Sequence, residues 1–238
     1  MEYFYTPPKL ISPSELIIEG DEFAHLTHVM RKTIGDSIRV VDGVGTAYDV
    51  TITGIDKPHR GKRSAQCKIT GVRKRLHEPD IDVTLGVGIL KNLSRFDFLV
   101  EKVTELGVNT IVPLLTARTI PRHAKVERWQ KLALAAMKQS GRCVLPVIGE
   151  LTSFKEFVTS APTDCLKLVL HEQSSQTISS HLEGKSHKSF TLCIGPEGGF
   201  ADDEITYAAG EGFVAVSLGQ TRLRTETAAI AAAVRALQ

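Results

Sequence analysis

The sequence lacks any apolar run approaching the roughly 20 residues that a membrane-spanning helix needs. Its N-terminus, MEYFYTPPKL, has no basic segment leading into an apolar one, so neither a membrane anchor nor a secretion signal is expected. Cysteine is sparse: Cys67, Cys143, Cys165 and Cys193 are far apart and form no CxxC pair. That argues against a disulfide framework and a zinc site, and for a reducing cytoplasm. His25 and His28 are three residues apart but have no third candidate ligand, so no metal is expected. Internal repeats, low-complexity segments and the GxGxxG and GxxxxGK(S/T) phosphate fingerprints are also missing.

What is present fits a globular protein. The chain has 238 residues, 42% apolar and 24% charged, enough for one large domain or two smaller ones with a real core. The net charge of +2 is unevenly placed. Residues 57–77 hold eight Lys or Arg and no Asp or Glu. Residues 1–77 carry twelve basic and nine acidic side chains, and the remainder 17 and 18. A local basic run suggests a polyanion such as RNA, although a charge run taken alone is more often a solvated loop.

The pattern of elements changes along the chain. The β-branched runs 37–43 and 47–55 flank the Gly-rich connection DGVGT, and 65–72 reads as another strand. With a helical piece at 22–31, this predicts a small β-barrel. After a basic, proline-containing linker at 73–80, strands and helices alternate. Strands are expected at 81–90, 108–115, 166–170, 189–194 and 213–218. Helices are expected at 94–107, 125–141, 201–212 and 225–237. In the first of these helices Phe96, Leu99, Val100, Val103 and Leu106 share a face, Ser94 and Asp97 resemble a capping box, and Gly107 is a terminator. The alternation predicts an α/β unit with a largely parallel sheet covered on both faces.

Two loops carry the chemistry. In LCIGPEGGFADDEI (192–205) an apolar strand stops at a turn with three glycines, and three acidic residues open the next helix. Such a turn at the carboxyl edge of a parallel sheet often cradles a ligand. Here lysine is absent, and the acids both satisfy the helix dipole and repel phosphate. A neutral or cationic ligand held by backbone groups fits better, though glycine also serves tight turns for geometry alone. In LGQTRLRTETAAIAAA (218–233), Arg222 and Arg224 sit beside a helix N-terminus where the dipole disfavours cations. That placement suggests gripping an anion or a base carbonyl. Thr225 is the expected cap of the alanine-rich helix.

IGPEGGF followed by LGQTRLRTETA resembles the paired cofactor loops of the SPOUT methyltransferases, and more narrowly the RsmE family, which methylates uridine N3 in 16S rRNA. KVTELGV (102–108), RWQKLALAAMKQSGR (128–142) and HLTHVMRKTIGD (25–36) are similar to that family too. The likeness covers nearly the whole chain. It implies S-adenosylmethionine (SAM) as cofactor, the small ribosomal subunit as substrate and a homodimer. It also implies an N-terminal PUA-like RNA-binding barrel (1–73) and a SPOUT domain with a deep trefoil knot (74–238). On the matched motifs the cofactor role falls to Leu170, His171 and Glu172, to Ile194, Gly195, Pro196, Glu197, Gly198 and Gly199, to Leu218 and Gly219, and to Leu223, Arg224, Thr225, Glu226, Thr227 and Ala228. RNA contacts are expected from Lys62, Arg63, Arg73 and Lys74. The chain departs from the family at EYFYTPP, where an Arg-Phe-Phe-like start is usual, leaving that contact to Lys9 or Arg31. It also departs at Arg222, where an isoleucine-like residue is common.

The implied reaction needs N3 of uridine deprotonated and aligned with the donor methyl. Charge spreads over O2 and O4, where Arg224 is the first candidate for stabilising it and Arg222 the second. Glu226 or Glu197 can accept the proton, although buried acids near glycine loops more often bind backbone amides. Ribose 2′-O-methylation by the same fold and an idle, RNA-binding knot domain are the alternatives.

Overall fold

The computed structural model describes residues 3–59, 61–182 and 187–238, with backbone alone at 57–59 and 62. The chain divides into two compact units, Met1–Glu78 with Leu134–Leu145, and Pro79–Ala133 with Pro146–Gln238.

In the first unit, strands β1 (Tyr3–Tyr5), β2 (Glu15–Glu19), β3 (Ser37–Val41), β4 (Thr46–His59) and β5 (Lys62–Lys74) form one mixed sheet in the order β1-β3-β4-β5-β2. Only β1–β3 is parallel. Side chains alternate as the pleat requires. Ile38 and Val40 are buried, while Arg39 between them bonds Asp49. Helix α1 (Gly20–Ala24) runs into a π-helical turn at His25–Val29. It delivers Phe23 and Leu26 to a core with Phe4, Leu16, Ile18, Val50 and Ile52. The expected small β-barrel is present as a half-barrel. Strands β1 and β2 are its edges, joined beyond β1 by Thr6 Oγ1 donating to Ile17 O (3.1 Å) rather than by a ladder.

Segment 134–145 contributes a polar cluster to this unit. Glu78 and Arg142, each with a side chain 2% exposed, form a buried ion pair. One Glu78 oxygen accepts from Arg142 Nη2 (2.7 Å) and Nε (3.1 Å). The other accepts from the Cys143 and Val144 amides (2.7 and 2.8 Å). Lys138 pairs with Glu22. Burial pushes the Cys67 thiol up to about 12 and the Cys143 thiol up to about 11, so both stay protonated and unreactive.

The second unit is built on a seven-stranded sheet of β6 (Asp82–Gly88), β7 (Thr110–Leu115), β8 (Val147–Ile148), β9 (Thr152–Ser153), β10 (Leu166–Leu170), β11 (Ser189–Ile194) and β12 (Val214–Val216). The order is β12-β10-β11-β6-β7-β8, with β9 also on β7, and every pairing is parallel. Leu192, Cys193 and Ile194 are consecutive and all buried, which requires cover on both faces. The helices are α2 (Leu93–Leu106), α3 (Val126–Ser140, of which the residues from Leu134 on belong to the first unit), α4 (Phe154–Thr159), α5 (Ile178–Leu182), α6 (Asp202–Gly210) and α7 (Thr225–Leu237). Helix α7 packs on α2, β6 and β11, whereas α4 and α6 pack together over β7 and β12.

Helix α2 buries Phe96, Leu99, Val100 and Val103 as its periodicity predicts, and ends at Gly107 with φ +117°. Its start differs from expectation. Asn92 is the N-cap, accepting from the Ser94 amide (2.9 Å). Asp97 instead accepts from Arg128 and from Trp129 Nε1 (3.0 Å), beneath a Phe96–Trp129 stack. Helix α7 begins at Thr225 as the sequence predicts, but its N-cap is Arg224 rather than Thr225, with no side-chain capping bond. No helix among the described residues is long and apolar enough to cross a membrane.

Candidate active site

The three neighbouring strands β12, β10 and β11 end at Val216, Leu170 and Ile194. Their following loops meet above those ends, where parallel sheets place ligands. The loops are stitched together. His171 N donates to Val216 O (2.9 Å), Ser217 N to Gln176 O (2.7 Å), and Ser174 Oγ to Ala215 O (2.8 Å). They enclose a cleft of about 680 Å³ lined by 170–173, 194–200, 216–219, 221–225, Ala228, Asp202, Arg95 and Arg118. That size suits one drug-sized ligand.

The glycines of the 195–200 loop answer first to the protein's own close contacts. A Cβ at Gly195 would lie 2.9 Å from the Gly199 carbonyl carbon and 3.1 Å from the Phe200 nitrogen. Gly199 has φ +69° and closes a turn by donating to Pro196 O (2.9 Å). A Cβ at Gly198 would meet the Arg118 stem at 3.3 Å. On the far side, a Cβ at Gly88 would collide with the Pro196 nitrogen. The loop is therefore folded tightly enough to present its backbone to the cleft.

Of the residues expected to bind a cofactor, Leu170, His171, Glu172, Ile194–Gly199, Leu218, Gly219 and Leu223–Thr225 line the cleft, as does Ala228. Glu226 and Thr227 do not. Glu226 is buried and faces Arg95 Nε at 3.7 Å, and Thr227 is exposed. Glu197, considered as a proton acceptor, accepts from the Lys91 amide (3.0 Å). Sequence reasoning did not single out Arg95, Arg118, Glu204 or Gly88.

Among the described residues, four arginines line the cleft. Arg95 faces Glu226, Arg222 pairs with Glu172 at 3.3 Å, and Arg118 donates to Gly198 O at 2.8 Å. Among the described residues, Arg224 is the one of the four whose guanidinium has no such partner. It is exposed at the rim. Among the described residues no lysine lines the cleft, and the carboxylates of Glu172, Glu197 and Asp202 stand among its arginines.

In the first unit, the basic run lies mostly in the β4–β5 ribbon rather than in a loop. Arg63 pairs with Asp56 (2.6 Å) and lies over the Phe23 ring, Arg73 pairs with Asp49 (3.1 Å), and Lys74 donates to Thr46 Oγ1 (2.9 Å). Burial pushes the Asp49 carboxyl up, but the bonds from Arg39 and Arg73 outweigh it and hold it below its ordinary value. Lys9, in the 3-10 turn Pro8–Leu10, and Arg31, with φ +50°, are exposed. The Lys62 side chain lies outside the described residues. No group of three metal-ligating side chains gathers among the described residues.

Residues 77–237 match the RNA methyltransferase domain family, and residues 18–59 match the RNA methyltransferase PUA domain family. Ribosomal RNA small subunit methyltransferase E from a Synechocystis strain is 30% identical over 93% of this chain and 72% of its own length. The Rickettsia conorii protein of the same name is 28% identical over 96% and 91%. The crystal structure of the Neisseria gonorrhoeae methyltransferase E bound to S-adenosyl methionine superimposes with a TM-score of 0.85 at 30% identity, covering 98% of this chain and 95% of that one. A methyltransferase from Legionella pneumophila in complex with bound SAM gives 0.83 at 30% identity, covering 97% and 94%. With the family match spanning most of the chain and these full-length relatives beside it, this protein belongs to the ribosomal RNA small subunit methyltransferase E (RsmE) family.

Proposed function

We propose that this protein is a cytoplasmic, SAM-dependent methyltransferase acting on N3 of a uridine in 16S rRNA of the small ribosomal subunit. The observation that carries the reading is the cleft itself. It is lined by two glycine-bearing loops and, among the described residues, it holds the carboxylates of Glu172, Glu197 and Asp202, no lysine, and at its rim the Arg224 guanidinium without a partner. SAM fits this chemistry, being a sulfonium cation without phosphate. Bound there, it supplies an electrophilic methyl group. Residues Leu170–Glu172, Ile194–Gly199 and Leu218–Gly219, with Leu223–Thr225 and Ala228, would hold it.

The protein's own part is positioning and electrostatics. Uridine N3 becomes a nucleophile on losing its proton, and the resulting charge lies on O2 and O4. Arg224 is assigned to stabilise that charge, because its planar fork of donors is not committed elsewhere. Arg222, tied to Glu172, takes the second place. Glu226 and Glu197 are already engaged with Arg95 and the Lys91 amide, so water is the favoured proton acceptor. Methylation of unmodified small subunits with labelled SAM, followed by nucleoside analysis, tests the reading. N3-methyluridine is expected, and a 2′-O-methyl nucleoside or no incorporation would overturn it.

The cofactor loop predicts its own mutational sensitivity. In Gly195→Val a branched side chain meets the Gly199 backbone. Overpacking of about 1–3 kcal/mol deforms the turn, and SAM affinity is expected to fall by about tenfold. Calorimetry on the folded variant checks this, and unchanged affinity would remove the loop from the site.

RNA recognition is assigned to the N-terminal domain, read as residues 1–73 of a PUA-like barrel. Joint neutralisation of Lys62, Arg63, Arg73 and Lys74 is expected to weaken RNA binding and leave SAM affinity intact. The slope of log affinity against log salt should flatten by about 0.7–0.9 for each phosphate that is no longer neutralised. An unchanged slope would mean that Asp56 and Asp49 already neutralise this face.

The SPOUT domain, 74–238, is assigned a trefoil knot and a homodimeric state. The knot is supported by the return of the chain from edge strand β12 to pack α7 over β6 and β11, in the middle of the sheet. The buried alanines of α7 are used within the protomer, so a dimer must draw on other surface, such as the exposed Phe98 on α2. Sedimentation at micromolar concentration is expected to give a dimer, and a monomer would overturn that assignment.

A further inference from the structure

Glu204 is the third residue of α6 and is 6% exposed. Its Oε2 accepts from the Ala201 amide (2.9 Å), satisfying the start of the helix, since Ala201 has no side chain to cap with. Its Oε1 reaches the Ala117 amide (2.8 Å), 87 residues away in sequence, in the loop after β7. That loop is tightly turned. Thr116 N donates to Thr119 Oγ1 (3.0 Å), Thr119 N donates to Thr116 O (3.1 Å), and the two buried hydroxyls bond each other (2.9 Å). The turn aims Arg118 at the glycine loop, where Nη1 donates to Gly198 O (2.8 Å) and the stem lies against Gly198.

An exposed arginine is an odd tool for stability. The rotamer entropy of so long a side chain roughly cancels what one exposed hydrogen bond returns. What the bond does is fix a carbonyl of the loop whose backbone faces the cleft. Glu204 fixes the exit of that same loop through Ala201 and sets the position of Arg118 through Ala117. We propose that Glu204 and Arg118 form a brace, acting as positioning residues that hold the 195–200 loop in its ligand-binding form. The inference rests on the cleft being the SAM site. Pre-ordering a binding loop raises affinity by removing the ordering cost from the binding step.

Three variants of the full-length protein test it. Arg118→Met keeps the stem against Gly198 and removes the donors. Arg118→Lys keeps one donor for the Gly198 carbonyl. Glu204→Gln places an amide NH2 against one of two backbone N–H groups. With SAM as the calorimetric probe, Arg118→Met and Glu204→Gln are expected to bind about tenfold more weakly. Arg118→Lys should recover part of the loss. The KM for SAM should rise in step while the KM for RNA stays put. Hydrogen exchange at the Gly198, Gly199 and Phe200 amides should quicken without SAM, and the thermal midpoint should hold within about 2 °C in Arg118→Met. Wild-type affinity in Arg118→Met, or a loss matched by a proportional fall in thermal midpoint, overturns the brace. Failure of the unmodified protein to bind SAM would instead sink the cofactor assignment on which the brace depends.

Discussion

Replacing Arg224 with lysine is expected to lower turnover by about a hundredfold, with little change in RNA or SAM affinity. Lysine keeps the charge but loses the planar fork that can reach a base carbonyl and a neighbouring acceptor together. The residue is suited to this work by what it does not do. Arg95, Arg118 and Arg222 line the same cleft but face Glu226, the Gly198 carbonyl and Glu172. Arg224 also sits at the N-cap of α7, where the helix dipole opposes a cation and favours an anion nearby. A developing uridinate relieves that opposition. Raising the pH should recover part of the loss, because hydroxide then helps to deprotonate N3. A defect that appears wholly as weaker RNA binding would contradict this role, and so would a turnover defect that stays constant as pH rises.

The second large effect concerns stability. Glu78→Ala is expected to cost about 3–5 kcal/mol, because it takes the compensating carboxylate away from a buried guanidinium. Arg142 is as fully enclosed as Glu78, and the Cys143 and Val144 amides would lose their acceptor at the same moment. The double replacement Glu78→Met with Arg142→Leu should recover much of the loss, since it removes both charges. Chemical denaturation of the three proteins measures this. A single-mutant cost below about 1 kcal/mol, the scale of an exposed pair, would show that water reaches the pair.

Much of this architecture was legible in the sequence. The strand–helix alternation from residue 81 onwards became a parallel sheet, because each apolar run was short, bounded by turn residues and followed by an amphipathic helix. The PUA-like half was harder. Strands β1 and β2 sit in a segment rich in proline and aromatics, where period-two alternation is too short to read. The basic run, whose charge alone reads more often as a solvated loop, is mostly strand, because its outward positions carry the charges while Ala65 and Cys67 point into the core.

At the cleft, glycines and arginines close to the two motifs could be found by eye. Helical spacing also separates Thr225 and Ala228, which face the cleft, from Glu226 and Thr227, which do not. Gly88, Arg118 and Glu204 escaped because their meaning lies in contacts across 80 residues or more. The Gly88 contact is with Pro196, and the other two bonds span 80 and 87 residues. Pattern reading along the chain has no access to such distances.

The first unit has a further consequence for how the protein is made. It closes on segment 134–145, which supplies the partners of Glu78 and Glu22. A nascent chain that has just emitted residue 78 cannot finish this unit, because Arg142 has not yet been polymerised. At about 5–20 residues per second that wait lasts several seconds, during which the half-barrel has a carboxylate without its guanidinium. Vectorial folding, with the N-terminal module complete before the next begins, is therefore closed to this chain. A protease or a genetic cut at residue 78 would separate the module from part of itself. Grafted onto another chain, the first unit would need the 134–145 strap to complete its ion pairs.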